Sequence, residues 1–253
     1  MGCWPSYSEG SPEQNAQAAE GELWVGGYTC QALKAAFFNK DSSCMDVDGV
    51  AKCLTHSQFI SGLADLMRKD KTFFENLFGS DEETASQTVA REAFEKQRDM
   101  LFASMKITEA EEGKEATYDF NKTMSLFFLM SKDEGEETFK ALTQLWFTTA
   151  NITKAQAAAS YARITDALFA WSYISGFPTV ETIAQAKKKM APVYKGIQLK
   201  TTEIITKMFE KKATLTRAEY ILANTDYSTD IWNISVFRHH LYEGFFDECQ
   251  ELL

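Results

Sequence analysis

Apolar residues recur along the chain at the three-to-four-residue spacing of amphipathic helices, and polar breaks separate these runs. The pattern predicts helices at residues 24–38, 55–68, 83–105, 120–131, 137–149 and 153–175, then a long helix, kinked near Pro192, that reaches Phe209, and a last helix after Tyr220. The chain has four prolines and 13 glycines, too few for a turn-rich β fold. The sequence therefore predicts an all-α protein.

One short motif opens several of these helices. An apolar residue precedes a threonine, and an acid or amide follows the threonine three positions later, which is the spacing of a capping box. The motif is present at Leu54-Thr55 with Gln58, more weakly at Ile152-Thr153 with Gln156, and most clearly at Leu215-Thr216 with Glu219. A single copy indicates no more than a helix start, because such boxes are common. Repeated after short polar loops, the motif outlines the second half of an EF-hand.

In an EF-hand the eighth loop position is apolar, the ninth is often Ser or Thr, and the twelfth is an acid that clamps calcium. A further loop at residues 108–119 is aligned by placing Gly113 at position six, which puts Asp119 at position twelve. The four eighth-position residues are then Leu54, Glu115, Ile152 and Leu215, which are 61, 37 and 63 residues apart. This long, short, long spacing predicts two packed EF-hand-like helix-loop-helix pairs, in residues 21–131 and 132–253. The entry helices of the four hands are predicted to end near Phe38, Met105, Phe147 and Phe209.

Candidate calcium ligands are few in each loop. They are Asp41, Asp46 and Asp48 in the first loop, Glu112 and Asp119 in the second, and Glu219 in the fourth. The D-x-D-G run that ends at Gly49 is out of register with Gln58, and the third and fourth loops are too short to wrap an ion. Because calcium takes six to eight oxygen ligands, we expect weak or lost Ca²⁺ binding and no certain cofactor. A working calcium buffer or sensor with one or two surviving sites is the alternative.

The chain begins Met1-Gly2-Cys3 and has Ser6, which fits the acceptor pattern for N-myristoylation. Gly2 is the predicted myristoylation site and Cys3 the predicted palmitoylation site, because one acyl chain anchors marginally and two anchor stably. An ordinary chain start is the alternative. Residues 1–20 are predicted to be a flexible tether between a membrane surface and the globular part, because residues 7–20 are rich in Ser, Glu, Gln, Ala and Gly.

Charge and composition exclude several classes of protein. The net charge of −10 repels phosphate backbones, so nucleic acid is not an expected partner. No apolar run approaches the roughly 18–20 residues that span a bilayer, and no secretory signal is visible. An intracellular, cytoplasmic location is therefore predicted, at the cytoplasmic face of a membrane if the chain is acylated. The five cysteines form no C-x-x-C pair and are predicted to be free thiols.

No catalytic set is recognisable in the sequence, so a non-enzyme is predicted. His56 lies in a capping box, and the adjacent His239 and His240 point about 100° apart on a helix, which prevents them from chelating one ion. The nucleophile elbow, the phosphate loop and the H-E-x-x-H motif are all absent from the sequence.

The order of these features is similar to that of a known family. The residues that carry the similarity are 22–25, 215–220, 224–229, 231–232 and Phe237. Together with the long linker before the second hand and the weak second loop, they resemble the invertebrate sarcoplasmic calcium-binding proteins and, more loosely, calexcitin and the coelenterate photoproteins. The resemblance implies a compact, two-lobed helical fold closed by an aromatic C-terminal segment. The family's calcium ligands do not carry over, because most of its Asp and Asn positions have no counterpart here.

The sequence thus favours a non-enzymatic EF-hand-like protein, tethered to a membrane, that acts through an unidentified protein partner or hydrophobic ligand. A third hypothesis is a photoprotein-like binder of a small aromatic ligand. Its cavity would draw on the 19 Phe, five Trp and nine Tyr residues, but the same residues equally make an ordinary core.

Overall fold

The computed structural model describes residues 11–23, 25–38, 42–46, 49–69, 85–108, 115–176 and 183–242. These residues are mostly helical, as the sequence predicts. They form two compact units: the N-terminal unit is Ala19–Lys132, and the C-terminal unit joins the described residues up to Ala18 to those from Asp133 onward. Within the described ranges, no helix combines the length and the apolar character needed to cross a bilayer.

The N-terminal unit surrounds a four-stranded antiparallel sheet of order β1-β2-β4-β3. After α1 (Pro12–Leu23) and a 3₁₀ turn (Val25–Gly27), its elements are α2 (Cys30–Phe37), β1 (Ser42–Asp46), β2 (Gly49–Thr55), α3 (His56–Lys69), α4 (Ala85–Met105), β3 (Lys106–Thr108), β4 (Thr117–Asp119) and α5 (Phe120–Met130). The rings of Phe37, Phe59 and Phe127 have centroids 5.4–5.9 Å apart and are fully buried. These three aromatic side chains form the core contact between α2, α3 and α5.

The first loop contains a β-hairpin that the helical pattern did not predict. Strand β1 pairs with β2 along its full length, from Ser42 opposite Cys53 to Asp46 opposite Gly49. The hairpin accounts for the poor calcium-loop register of this segment, because its extra residues form strand pairs between α2 and α3.

The C-terminal unit has helices around a two-stranded ladder. Its elements are α6 (Glu136–Trp146), β5 (Asn151–Thr153), α7 (Lys154–Gly176), α8 (Ile183–Lys189), α9 (Ala191–Met208), β6 (Thr214–Thr216), α10 (Arg217–Tyr227), α11 (Thr229–Trp232) and α12 (Ile234–Tyr242). The predicted kink near Pro192 is confirmed as a break between α8 and α9, with the proline in the first turn of α9, where a missing N–H is tolerated.

The predicted ends of the four entry helices are confirmed. The helices α2, α4, α6 and α9 end at Phe37, Met105, Trp146 and Met208, each within one residue of the predicted position.

The flexible tether predicted for residues 1–20 does not hold from Pro12 onward. Those residues begin α1, in which Ala16 and Ala19 are fully buried. Asn15 is also buried, and its Nδ2 donates to the Gly176 carbonyl oxygen at 3.3 Å. Alanine-rich sequence is a good helix former, so the small residues that suggested a tether instead allow a helix to pack closely. Gly2 and Cys3 lie outside the described residues.

Candidate functional site

All three predicted capping boxes are formed. The threonine N–H donates to the side chain three residues later, at 2.8 Å for Thr55 and Gln58, 2.9 Å for Thr153 and Gln156, and 2.9 Å for Thr216 and Glu219. The reciprocal bond, from the later backbone N–H to the threonine hydroxyl, is 3.2, 3.2 and 3.3 Å long. Each box satisfies two backbone donors at a helix start, so these side chains are engaged in helix capping.

The second loop has a different register from the one predicted. Leu54 lies opposite Tyr118, not opposite Glu115, and Tyr118 is buried whereas Glu115 is exposed. Asp119 is the N-cap of α5, and its Oδ1 accepts from the Lys122 N–H at 2.9 Å. Asp119 is therefore equivalent in register to Thr55, and Lys122 to Gln58. The physical reason is burial: the ladder needs an apolar side chain opposite Leu54, and this requirement outweighs the position of Gly113.

With this correction, the two units contain equivalent ladders. Leu54 pairs with Tyr118 in one unit, and Ile152 pairs with Leu215 in the other. Beyond each ladder the first residue of a helix donates its N–H to the facing loop at 3.2 Å, from His56 to the Ala116 carbonyl and from Arg217 to the Ala150 carbonyl. The same backbone arrangement thus occurs twice in the chain.

Of the four other candidate calcium ligands, Asp46 alone lies among the described residues. Asp46 ends β1 opposite Gly49, while Asp41, Asp48 and Glu112 lie outside the described residues. Among the residues that are described, no group of three or more His, Cys, Asp or Glu side chains could hold a metal ion.

Glu219 is bound by protein groups on both of its oxygens. Oε1 accepts from the Lys212 ammonium, and Oε2 accepts from the Thr216 N–H at 2.9 Å and its hydroxyl at 3.0 Å. The Lys212 bond, followed by those from Thr216, lowers the pKa of Glu219 to about 2. The carboxylate is thus charged at neutral pH and already has donors, so the residues of the fourth loop do not fit a calcium ion that needs six or more free oxygens.

The third loop is closed by Arg217, a contact that sequence reasoning missed. The Arg217 guanidinium donates from Nε to the Thr149 carbonyl oxygen at 2.9 Å and from Nη2 to the Phe147 carbonyl oxygen at 2.7 Å. These carbonyls are the kind of oxygen that would face a cation in a calcium loop, and here a side chain binds them. The partners are 68 and 70 residues apart in the chain, so no local pattern predicts the contact.

Glu115 forms a similar link between the loops of the N-terminal unit. Its carboxylate accepts from the Ser57 N–H at 3.1 Å and from the Ser57 hydroxyl. The hydroxyl bond is the main cause of the lowered pKa of Glu115, and the N–H bond adds to it. A carboxylate at this place also complements the N-terminal end of α3, so Glu115 links the segment before β4 to the start of α3.

The C-terminal unit also has a small recess with mostly apolar and aromatic walls. This aromatic recess is lined by Phe139, Leu142, Thr143, Trp146, Phe147, Ser160, Ile164, Tyr220, Asn224 and Trp232. It has room for about one water molecule. A small aromatic ligand would therefore need side chains to move before it could enter.

A buried polar cluster forms one side of the aromatic recess. The Asn224 Oδ1 accepts from the Tyr161 hydroxyl at 2.5 Å and from the Trp232 Nε1 at 3.0 Å. Burial raises the pKa of the Tyr161 hydroxyl well above its ordinary value and also raises that of Tyr220. Both phenols are therefore neutral hydrogen-bonding groups at physiological pH and not bases.

No family model, curated protein or solved structure matches the chain.

Proposed function

We propose that the protein is a non-enzymatic, EF-hand-like binding protein with weak or lost calcium binding. Hydrogen bonds and ion pairs from its own side chains hold its loops in place. The observation that carries this proposal is the use of Gln58, Gln156 and Glu219 in capping boxes. These three residues occupy the twelfth loop position, where an EF-hand uses an acid to clamp the ion. Two of them are neutral amides, and the third already binds Lys212 and Thr216.

The repeated ladder supports the EF-hand-like part of the proposal. Pairing of Leu54 with Tyr118 and of Ile152 with Leu215 joins one capped helix start to another in each unit. In EF-hand proteins, two hands are held together in this way through one short antiparallel contact between their loops. We therefore interpret each unit as one pair of hands.

Partners are expected to bind through apolar contacts. The aromatic recess offers Trp146, Phe147 and Trp232 beside the polar Asn224, which is the mixture of apolar walls and few polar groups found in ligand sites. Because it has room for about one water molecule, an apolar side chain of a partner protein or a slim hydrophobic ligand could enter only after its walls move, and a bulky aromatic molecule would need a larger movement. Acylation of Gly2 and Cys3 would bring this unit to the cytoplasmic face of a membrane.

Calorimetric titration of the purified chain with CaCl₂ tests the proposal. We expect no site tighter than about the millimolar end of the EF-hand range, and the same unfolding temperature in calcium and in EDTA. Asp48→Ala and Asp119→Ala are the matched variants, because they remove candidate ligands in the first and second loops. Micromolar binding that either variant abolishes would overturn the proposal and establish the alternative, a working calcium buffer or sensor.

A further inference from the structure

Arg217 supplies three donors to the loop of the neighbouring hand. Its guanidinium binds the carbonyl oxygens of Phe147 and Thr149, and its backbone N–H binds that of Ala150. Phe147 is the C-cap of α6, and the last carbonyls of a helix have no donor within the helix. A cation at this end also interacts favourably with the helix dipole. Arg217 therefore satisfies groups that would otherwise depend on water or a bound ion.

Lys212 makes the corresponding contact in the fourth loop. It lies between α9 and β6, and its ammonium binds the Glu219 carboxylate in the first turn of α10. An isolated exposed ion pair contributes little to stability. This pair, however, joins the loop to a carboxylate that is already fixed by the Thr216 capping box, so its effect is to restrict the loop.

We propose that Arg217 and Lys212 are built-in cations that hold the third and fourth loops of the C-terminal unit in place, so that β5 and β6 stay paired whatever the calcium concentration. In a calcium-loaded pair of hands, an ion from solution gathers the loop oxygens. Here a guanidinium and an ammonium of the chain occupy those oxygens, and no binding event is needed. The device goes beyond the proposed function, because these contacts would fix the two loops in any helical protein with this ladder.

The chain provides a matched control at Lys154. Lys154 follows Thr153 and opens α7, just as Arg217 follows Thr216 and opens α10. Its Nζ lies 3.4 Å from the hydroxyl of Thr206 on α9, so this contact is to a helix and not to the facing loop. Removing its charge therefore tests the general effect of losing a cation at the start of a helix.

Hydrogen–deuterium exchange of residues 147–153 and 210–216 measures how strongly the backbone amides of the two loops are protected. We expect Arg217→Met to speed exchange in residues 147–153 about tenfold or more, because hydrogen bonds to a charged group are lost. Lys212→Met should speed exchange in residues 210–216, and Lys154→Met should leave the exchange rates of both segments unchanged. Arg217→Lys, which keeps the charge but not the two-donor fork, should give an intermediate rate and serves if Arg217→Met does not fold.

Equal exchange in Arg217→Met and Lys154→Met, or full protection in Arg217→Lys and Lys212→Met, would overturn the inference. The same would follow if EDTA accelerated exchange of these segments in the unchanged protein, because the loops would then depend on an ion. Micromolar calcium binding at the first or second loop would contradict the proposed function. It would not affect the expected faster exchange of residues 147–153 in Arg217→Met, so the two failures are distinguishable.

Discussion

Asn224→Leu is the substitution that most directly tests the polar core of the C-terminal unit. The Asn224 Oδ1 accepts from Tyr161 at 2.5 Å and from Trp232 and Ser228 at 3.0 Å, and its Nδ2 donates to the Tyr220 carbonyl oxygen at 2.6 Å. Asn224 is 3% exposed, so water cannot replace these bonds. Leucine has a similar size and branching, which keeps the contribution of packing changes small.

The expected loss is smaller than four separate hydrogen bonds would suggest. The Ser228 hydroxyl also donates to the Asn224 backbone carbonyl at 2.6 Å, and the Trp232 Nε1 also donates to the Tyr161 hydroxyl at 3.0 Å. The Tyr161 hydroxyl loses its acceptor and keeps a weak one, the Met208 sulfur at 3.5 Å. A buried donor without a partner costs about 1–3 kcal/mol, and the other lost bonds bring the expected total to about 2–4 kcal/mol.

Urea unfolding, followed by circular dichroism and tryptophan fluorescence, measures this loss. In thermal melts the unfolding temperature should fall by about 4–16 °C, since each kcal/mol shifts it by roughly 2–4 °C in a chain of this size. Tyr161→Phe should cost about 1 kcal/mol, because Asn224 keeps its other donors. Thr225→Ala, at an exposed position of the same helix, is the control. Asn224→Leu within about 0.5 kcal/mol of the unchanged protein, or Tyr161→Phe costing as much as Asn224→Leu, would refute the reasoning.

Three further predictions concern Glu219 and the N-terminus. Glu219→Gln should lower the unfolding temperature less than Glu219→Ala at pH 7, because glutamine can still close the box with Thr216; equal losses would contradict this. The pKa of Glu219 is about 2 when folded against 4.5 for the ordinary group, so its charge stabilises the fold above pH 4.5. The difference in thermal melts between the Glu219→Gln variant and the unchanged protein should therefore shrink as pH falls from 4.5 towards 2. In membrane fractionation, Gly2→Ala should move the protein from the pellet to the soluble fraction, whereas equal partition of both forms would rule out the acyl anchor.

Features encoded within a few residues were predictable from the sequence. The three capping boxes and the ends of the entry helices depend on residues at i and i+3 and on local apolar periodicity, and they are found where predicted. The 63-residue spacing of Ile152 and Leu215 predicted that they belong to loops of one pair, and the structure pairs them directly.

Features that depend on distant partners were not predictable in this way. The register of the second loop is an exception, because Tyr118-Asp119 precedes Phe120 as Leu54-Thr55 precedes a helix, and this local signal gives the observed pairing whereas the position of Gly113 does not. The Arg217 contacts left no such signal, since a basic residue at a helix start looks like any solvated side chain. Likewise the helix at Pro12 depends on a surface around Gly176, far along the chain.

The position of α1 has a consequence for folding during synthesis. Its first turns belong to the C-terminal unit, and Asn15 bonds to Gly176, 161 residues later. At about 5–20 residues per second, the ribosome needs on the order of 10–30 s to deliver that partner. In that interval the N-terminal unit can fold from its own residues, whereas α1 must wait. Isolated helices of this length are marginal in water, so the first turns of α1 gain their buried contacts only after α7 has been synthesised.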